Sequence, residues 1–332
     1  MRQHFVLTLI GLMLVALLGL TAIGLADKGE WVFETIEPPD AVVWTGIGGI
    51  NERGQVVVGY IDGSGVWHSF LLDGDTSTTI SHPDASTTEG FDDSGTNAIG
   101  INDRGQIVGR YCDSNGTVHG FLLDGDTFTT IDVPDATWCS CLAINARGQI
   151  VGDYCGSSEP SRHRAYLFDG STFILIDAPD AVTTVAWGIN DRGQIVGEYM
   201  DASEVWHGFL LDGETFTTID VPGAVNTCAY GINDRGQIVG HYWSSGDYYG
   251  DGESKDHYGF LLDGDTFSQI AMPGAWWTFV YSINNQGQIV GSYRNSDIPI
   301  ARGFIAEQSH KAAPSLSSHS KALTTWAHIK AQ

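Results

Sequence analysis

The sequence predicts an all-β fold, a six-bladed β-propeller of four-stranded blades whose ring is closed by an N-terminal strand joining the last blade. Three observations predict it. First, the decapeptide GINDRGQIVG occurs unchanged at 100–109, 188–197 and 231–240, with looser copies at 49–60, 143–154 and 282–293. The Gly-Gln pair therefore recurs at Gly54, Gly105, Gly148, Gly193, Gly236 and Gly287, at separations of 43 to 51 residues. Self-similarity at that period marks an array in which no unit buries its apolar face alone. Second, each copy holds four short runs rich in Val, Ile, Phe and Thr, as in NAIGIN, QIVGRY, HGFLLD and TFTTIDV between Asn97 and Val133. Third, the two ends of the repeat region are complementary. The sixth copy stops after its third run, RGFIAE at 302–307, while FETIEPPDA at 33–41 aligns without a gap on the fourth run FTTIDVPDA at 128–136. Pairing those ends removes an exposed strand edge.

The chain begins with MRQHFVLTLIGLMLVALLGLTAIGLA: Arg2 in a short basic head, an apolar run from Phe5, and small residues at Gly24 and Ala26. Residues 1–26 read as an export signal, or, if uncleaved, as a membrane anchor long enough to span a bilayer. Either way the repeats at 31–308 are placed outside the cytoplasm, secreted, extracellular or periplasmic. Within each repeat, Asn-x-x-Gly joins the first two runs and Asp-Gly the last two, and both are tight hairpin signals, with Gly free to take positive φ. No helical periodicity interrupts the region. The segment from 309 to 332 has no acids and no spanning apolar run, and reads as a flexible tail.

Acidic residues outnumber basic ones 40 to 16. Such a surface repels polyanions, because backbone binding needs Lys and Arg to displace counterions; nucleic acid is excluded as a partner. His68, His119 and His207 stand at equivalent places on different blades, which splays them apart and argues for hydrogen bonding at a strand start rather than a shared metal. The Asp-Gly-Asp turns offer two carboxylates where a calcium loop needs about six oxygens. They share one end of the blades with Arg53, Arg104, Arg147, Arg192 and Arg235, so exposed ion pairs are expected there. No metal or cofactor is called for. Five cysteines, at 112, 139, 141, 155 and 228, leave at least one unpaired. One or two local bridges among the first four, or packing as small apolar residues, both fit.

The alternation of Gly-Ile-Asn-x-x-Gly-Gln-Ile-Val-Gly with His-Gly-Phe-Leu-Leu-Asp-Gly resembles the bacterial extracellular HAF-repeat family. The triplet stands as His68-Ser69-Phe70, His119-Gly120-Phe121 and His207-Gly208-Phe209, and departs to Arg164-Ala165-Tyr166, Tyr258-Gly259-Phe260 and Arg302-Gly303-Phe304. The resemblance covers nearly all of 31–308. It implies a secreted or surface repeat protein and supplies no mechanism.

The other end of the blades carries the variation, with insertions at 86–96 and 243–258. Trp44, Trp138 and Trp277, with Trp276 beside the last, recur six residues before the repeated Ile, and Trp187 and Tyr230 stand near. Aromatic rings among acids suit the apolar faces of sugar rings or extended peptides, and they equally suit packing between blades. The candidate ligand-binding set is Trp44, Trp138, Trp276, Trp277, Tyr248, Tyr249, Asp92, Asp93 and Asp251. No nucleophile, metalloprotease or phosphate-loop motif is present, and no catalytic residue is assigned. The reading that follows is a non-catalytic binding or adhesion module for an extracellular glycan or peptide. The alternative is a polysaccharide hydrolase using two of Glu89, Asp92, Asp93, Asp247, Asp251 and Asp256, since a carboxylate pair suffices to cleave a glycoside.

Overall fold

The computed structural model describes residues 30–36, 42–88, 93–244, 257–296 and 298–309, with the side chains of 42–44 and 298–299 set aside. The 1–26 segment read as an export signal, the residues beyond 309 and most of the 243–258 insertion, residues 245–256, lie outside the described residues. Every described element is a β-strand.

Six units follow one another along the chain. Their first strands are Val42–Ile50, Thr96–Ile101, Ala136–Ile144, Thr183–Ile189, Asn226–Ile232 and Ala275–Ile283. The second strands, opened by the repeated Ile-Val, are Val56–Asp62, Ile107–Cys112, Ile150–Gly156, Ile195–Met200, Ile238–Trp243 and Ile289–Asn295. The third run from Trp67–Asp73 in the first unit to Ile298–Gln308 in the sixth. In the first five units a fourth strand follows, such as Thr76–Ile80. Each unit pairs its strands antiparallel in chain order. The sixth receives its fourth strand from the start of the chain: Trp31–Ile36 pairs antiparallel with Ile298–Gln308, from Trp31 opposite Gln308 to Ile36 opposite Gly303. Phe33 meets Phe304 edge-on at 5.2 Å, and Ile36 is buried.

The repeated motif explains itself atom by atom at the first hairpin. Asn190 is buried, and its Oδ1 accepts the backbone N–H of Arg192 at 3.1 Å and of Gln194 at 3.0 Å. Its amide nitrogen donates to Gln194 Oε1 at 2.8 Å and to the carbonyl of Asn233, in the next unit, at 3.1 Å. The same amide-to-carbonyl bond links Asn51 to Asn102, Asn102 to Asn145, Asn145 to Asn190, Asn233 to Asn284, and Asn284 back to Asn51. The circuit of hydrogen bonds thus returns to its start. Gly193 and its five counterparts sit at φ between 74° and 84°, a conformation that costs glycine nothing.

The turn arginines depart from expectation, whereas the cysteines follow one of the two readings open to them. Among the described residues no ion pair joins Arg53, Arg104, Arg147, Arg192 or Arg235 to the turn acids. The Gln amide of the motif reaches those acids instead, Gln55 to Asp73 and Gln194 to Asp212 at 2.8 Å. The arginines extend across the neighbouring turn, as Arg147 does in donating to the Asp191 carbonyl. The five cysteines are free and buried, with no bridge formed. Cys139 and Cys141, two apart on one strand, both turn their sulfurs to the Tyr166 hydroxyl, at 3.8 and 3.3 Å. Two residues of one extended strand are about 6.6 Å apart at Cα, at the far end of the span a disulfide tolerates. His68, His119 and His207 each hydrogen-bond an aspartate, Asp62, Asp132 and Asp220, at 2.7 to 2.9 Å.

Candidate functional site

The first strands of all six units line one cavity of about 930 Å³. At the turn end it is lined by six equivalent isoleucines, Ile50, Ile101, Ile144, Ile189, Ile232 and Ile283, which also line a small depression beside the asparagine circuit. Toward the other end the walls become aromatic. Trp187, Tyr230, Phe279, Tyr281 and Trp277 come from the fourth to sixth units, and Trp67 from the first.

A chain of ring contacts connects the side chains of the fourth to sixth units. Trp277 stacks on Phe279 at 4.6 Å between centroids, and Phe279 lies 4.2 Å from His241. His241 stacks in turn on Tyr230 at 5.2 Å and Trp243 at 5.5 Å, and Trp187 meets Tyr230 at 4.6 Å. Offset and edge-on aromatic pairs of this kind each add about 0.5–1.5 kcal/mol beyond burial, which makes the wall rigid. His241 is only 4% exposed and its Nδ1 has no hydrogen-bond partner. Burial, and then the neighbouring His257, hold its pKa down to about 3, so the ring is neutral.

The sequence candidates fall into two clusters. Asp93 accepts two hydrogen bonds from Arg110, from Nη2 at 2.8 Å and Nε at 3.1 Å. The Trp138 indole N–H approaches the other Asp93 oxygen at 3.4 Å. The Arg110 guanidinium lies 5.7 Å from the Trp138 ring and 5.9 Å from Trp67, within cation–π range. In the second cluster Trp277 sits opposite Arg294 in strand register, and Arg294 lies 5.8 Å over the Trp276 ring. Trp277 lines the cavity itself, together with Arg110 and Arg294. Trp138, Trp276 and Trp277 are all half-buried, so each ring both packs and presents an edge. Asp92, Tyr248, Tyr249 and Asp251 lie outside the described residues, as do Glu89, Asp247 and Asp256; for Trp44 only the backbone is described.

Sequence reasoning missed Trp67, Arg110, His241, Phe279 and Arg294. A signal for two of them was present. The residue after Gly-Gln-Ile-Val-Gly, which is Gly-Gln-Val-Val-Val in the first copy, is Gly59, Arg110, Asp153, Glu198, His241 and Ser292 in the six copies, different every time and followed in each by Tyr. Four of these side chains are buried: Asp153, Glu198, His241 and Ser292. Burial raises the Glu198 pKa to about 7, with the Cys228 thiol and the Trp187 indole facing the carboxyl group. Asp153 holds His163 at 2.6 Å, and that bond, with Cys155 beside it, raises the His163 pKa to about 10. Chemistry therefore varies at one register of a constant scaffold.

No protein-family model and no curated protein matches the chain. Solved structures do. A fucose-specific lectin from Aleuria aurantia, in a mercury-derivative form, aligns over 84% of this chain and 100% of its own, at 14% identity and a TM-score of 0.50. The β-propeller domain of the Trilobed protease from Pyrococcus furiosus, described as having an open velcro topology, aligns over 85% of this chain and 99% of its own, at 12% identity and a TM-score of 0.50. Identities this low speak to the fold alone, and with the four-stranded antiparallel units they place this all-β chain among the β-propellers.

Proposed function

We propose that this protein is a carbohydrate-binding β-propeller, exported from a bacterial cell, whose six blades close into a ring through the N-terminal strand and which holds a glycan at the aromatic end of its cavity without cleaving it. The carrying observation is the cavity wall, where Trp277, Phe279, Trp187 and Trp67 stand beside polar groups from Asn97 and two arginines. Flat apolar rings with few, fixed polar partners suit the faces and hydroxyls of a pyranose. Ring closure is supported by the strand pair 31–36 with 303–308 and by the asparagine circuit that returns from Asn284 to Asn51. The lectin among the structural neighbours is itself fucose-specific, which accords with a sugar ligand. Export rests on the residues of the 1–26 segment, and membership of the HAF-repeat family on the repeat motifs.

A glycan array on the mature chain, followed by calorimetry with the best ligand, tests the reading. Trp277→Ala and Trp67→Ala should each weaken binding about 5- to 30-fold, the loss of one stacking contact, with the far-ultraviolet dichroism unchanged. Retention of no glycan by the wild type, or full affinity in both variants, refutes it.

A further inference from the structure

The chain carries 40 acids against 16 bases, yet the charged side chains among the described residues lining the cavity are Arg110 and Arg294, with no carboxylate. Arg110 is neutralised by Asp93 at 2.8 Å. Arg294 is different. Among the described residues no carboxylate pairs with it, its Nε is buried without a hydrogen-bond partner, and its neighbour is the face of Trp276. Holding an uncompensated guanidinium in a partly desolvated wall is costly, and the cost is recovered when an anion arrives. The cross-strand partner of Arg294 is Trp277, which stacks on Phe279, which touches the neutral His241. A cation and an aromatic platform therefore adjoin within one wall of the cavity.

We propose that the cavity selects an acidic sugar, a pyranose bearing a carboxylate such as a uronic acid, with Arg294 receiving the carboxylate and the Trp277 ring, backed by Phe279, receiving the ring face. This rests on the glycan-binding reading above and narrows it. A carboxylate is the group that matches the planar two-pronged donor of arginine. The net field of a chain with charge −24 disfavours anions overall, so the selectivity has to come from the site.

Calorimetry of the mature, full-length chain with a glucuronic-acid oligosaccharide and with its carboxyl-reduced, neutral counterpart decides it. The wild type should bind the acidic sugar about tenfold or more tightly than the neutral one, a difference that shrinks at high salt. Arg294→Gln should bring the two affinities together by weakening only the acidic ligand, and Arg294→Lys should keep part of the gap. Equal affinities in the wild type, or a preference that survives Arg294→Gln, overturns the proposal. If both sugars bind equally and Trp277→Ala weakens both, the glycan reading stands and acid selectivity alone is wrong; if neither sugar nor any other glycan binds, both fail. The wild-type comparison needs no variant, so misfolding of Arg294→Gln would not remove the test.

Discussion

Replacing Asn190 by Ala should be far more destabilising than its place in a surface hairpin suggests. The amide makes four hydrogen bonds: two accepted from the N–H groups of Arg192 and Gln194, one donated to Gln194 Oε1 and one donated to the Asn233 carbonyl of the next unit. A typical net hydrogen bond contributes about 0.5–1.5 kcal/mol, and a buried backbone group left without a partner costs about 1–3 kcal/mol. The Gln194 side chain can turn to water and the Asn233 carbonyl keeps its bond from the Gly236 N–H, whereas the N–H groups of Arg192 and Gln194 sit inside the turn and lose their side-chain acceptor. The expected loss is about 3–5 kcal/mol. For a domain of this size that is about 6–10 °C in Tm, at roughly 2 °C per kcal/mol. Arg192→Ala, two residues away and exposed, should change stability by no more than about 0.5 kcal/mol. Urea and thermal unfolding followed by tryptophan fluorescence compare the two. If Asn190→Ala costs less than about 1 kcal/mol, the asparagine circuit is incidental to the fold and the explanation of the repeated motif is wrong.

Deleting residues 27–41 removes the strand that covers Ile298–Gln308, together with buried Ile36 and the Phe33–Phe304 contact. Stability should fall by about 3–5 kcal/mol or the chain should aggregate through the bared edge, and an unchanged melting curve would contradict ring closure. Glu198 makes a prediction in pH. Its folded pKa, about 7, lies above the ordinary 4.5, so below pH 4.5 both states are protonated and it imposes no penalty. Between 4.5 and 7 the unfolded chain ionises first and stability declines as pH rises, levelling above 7 at a loss of about 3 kcal/mol. Glu198→Gln should match the wild type at pH 4 and exceed it at pH 8; a difference independent of pH in chemical denaturation would show that the carboxyl group ionises freely in the fold.

The repeat, the strand content and both hairpin turns were legible in the sequence because their causes are local. Gly193 takes a positive φ that few residues tolerate, Asn-x-x-Gly closes on itself, and alternating Val and Ile mark strands wherever the chain goes. The matching ends were legible for the same reason: FETIEPPDA resembles FTTIDVPDA whether or not the two are near each other. What a side chain faces across a gap of 43 to 51 residues is another matter. Asn190 reads as a turn residue, and only packing of the next unit brings the Asn233 carbonyl to its amide. The turn arginines read as partners of the turn acids, until the shorter Gln side chains prove to reach those acids directly. Trp138 and Trp277 were found because aromatic residues recur at one offset. Arg110 and His241 were passed over because they differ from copy to copy, at a position that looks like noise until the strands are in register. Register and the convergence of six units decide which side chains share a cavity, and neither is encoded in any single repeat; the tertiary structure alone sets Arg294 beside an aromatic wall in a chain otherwise built of acids.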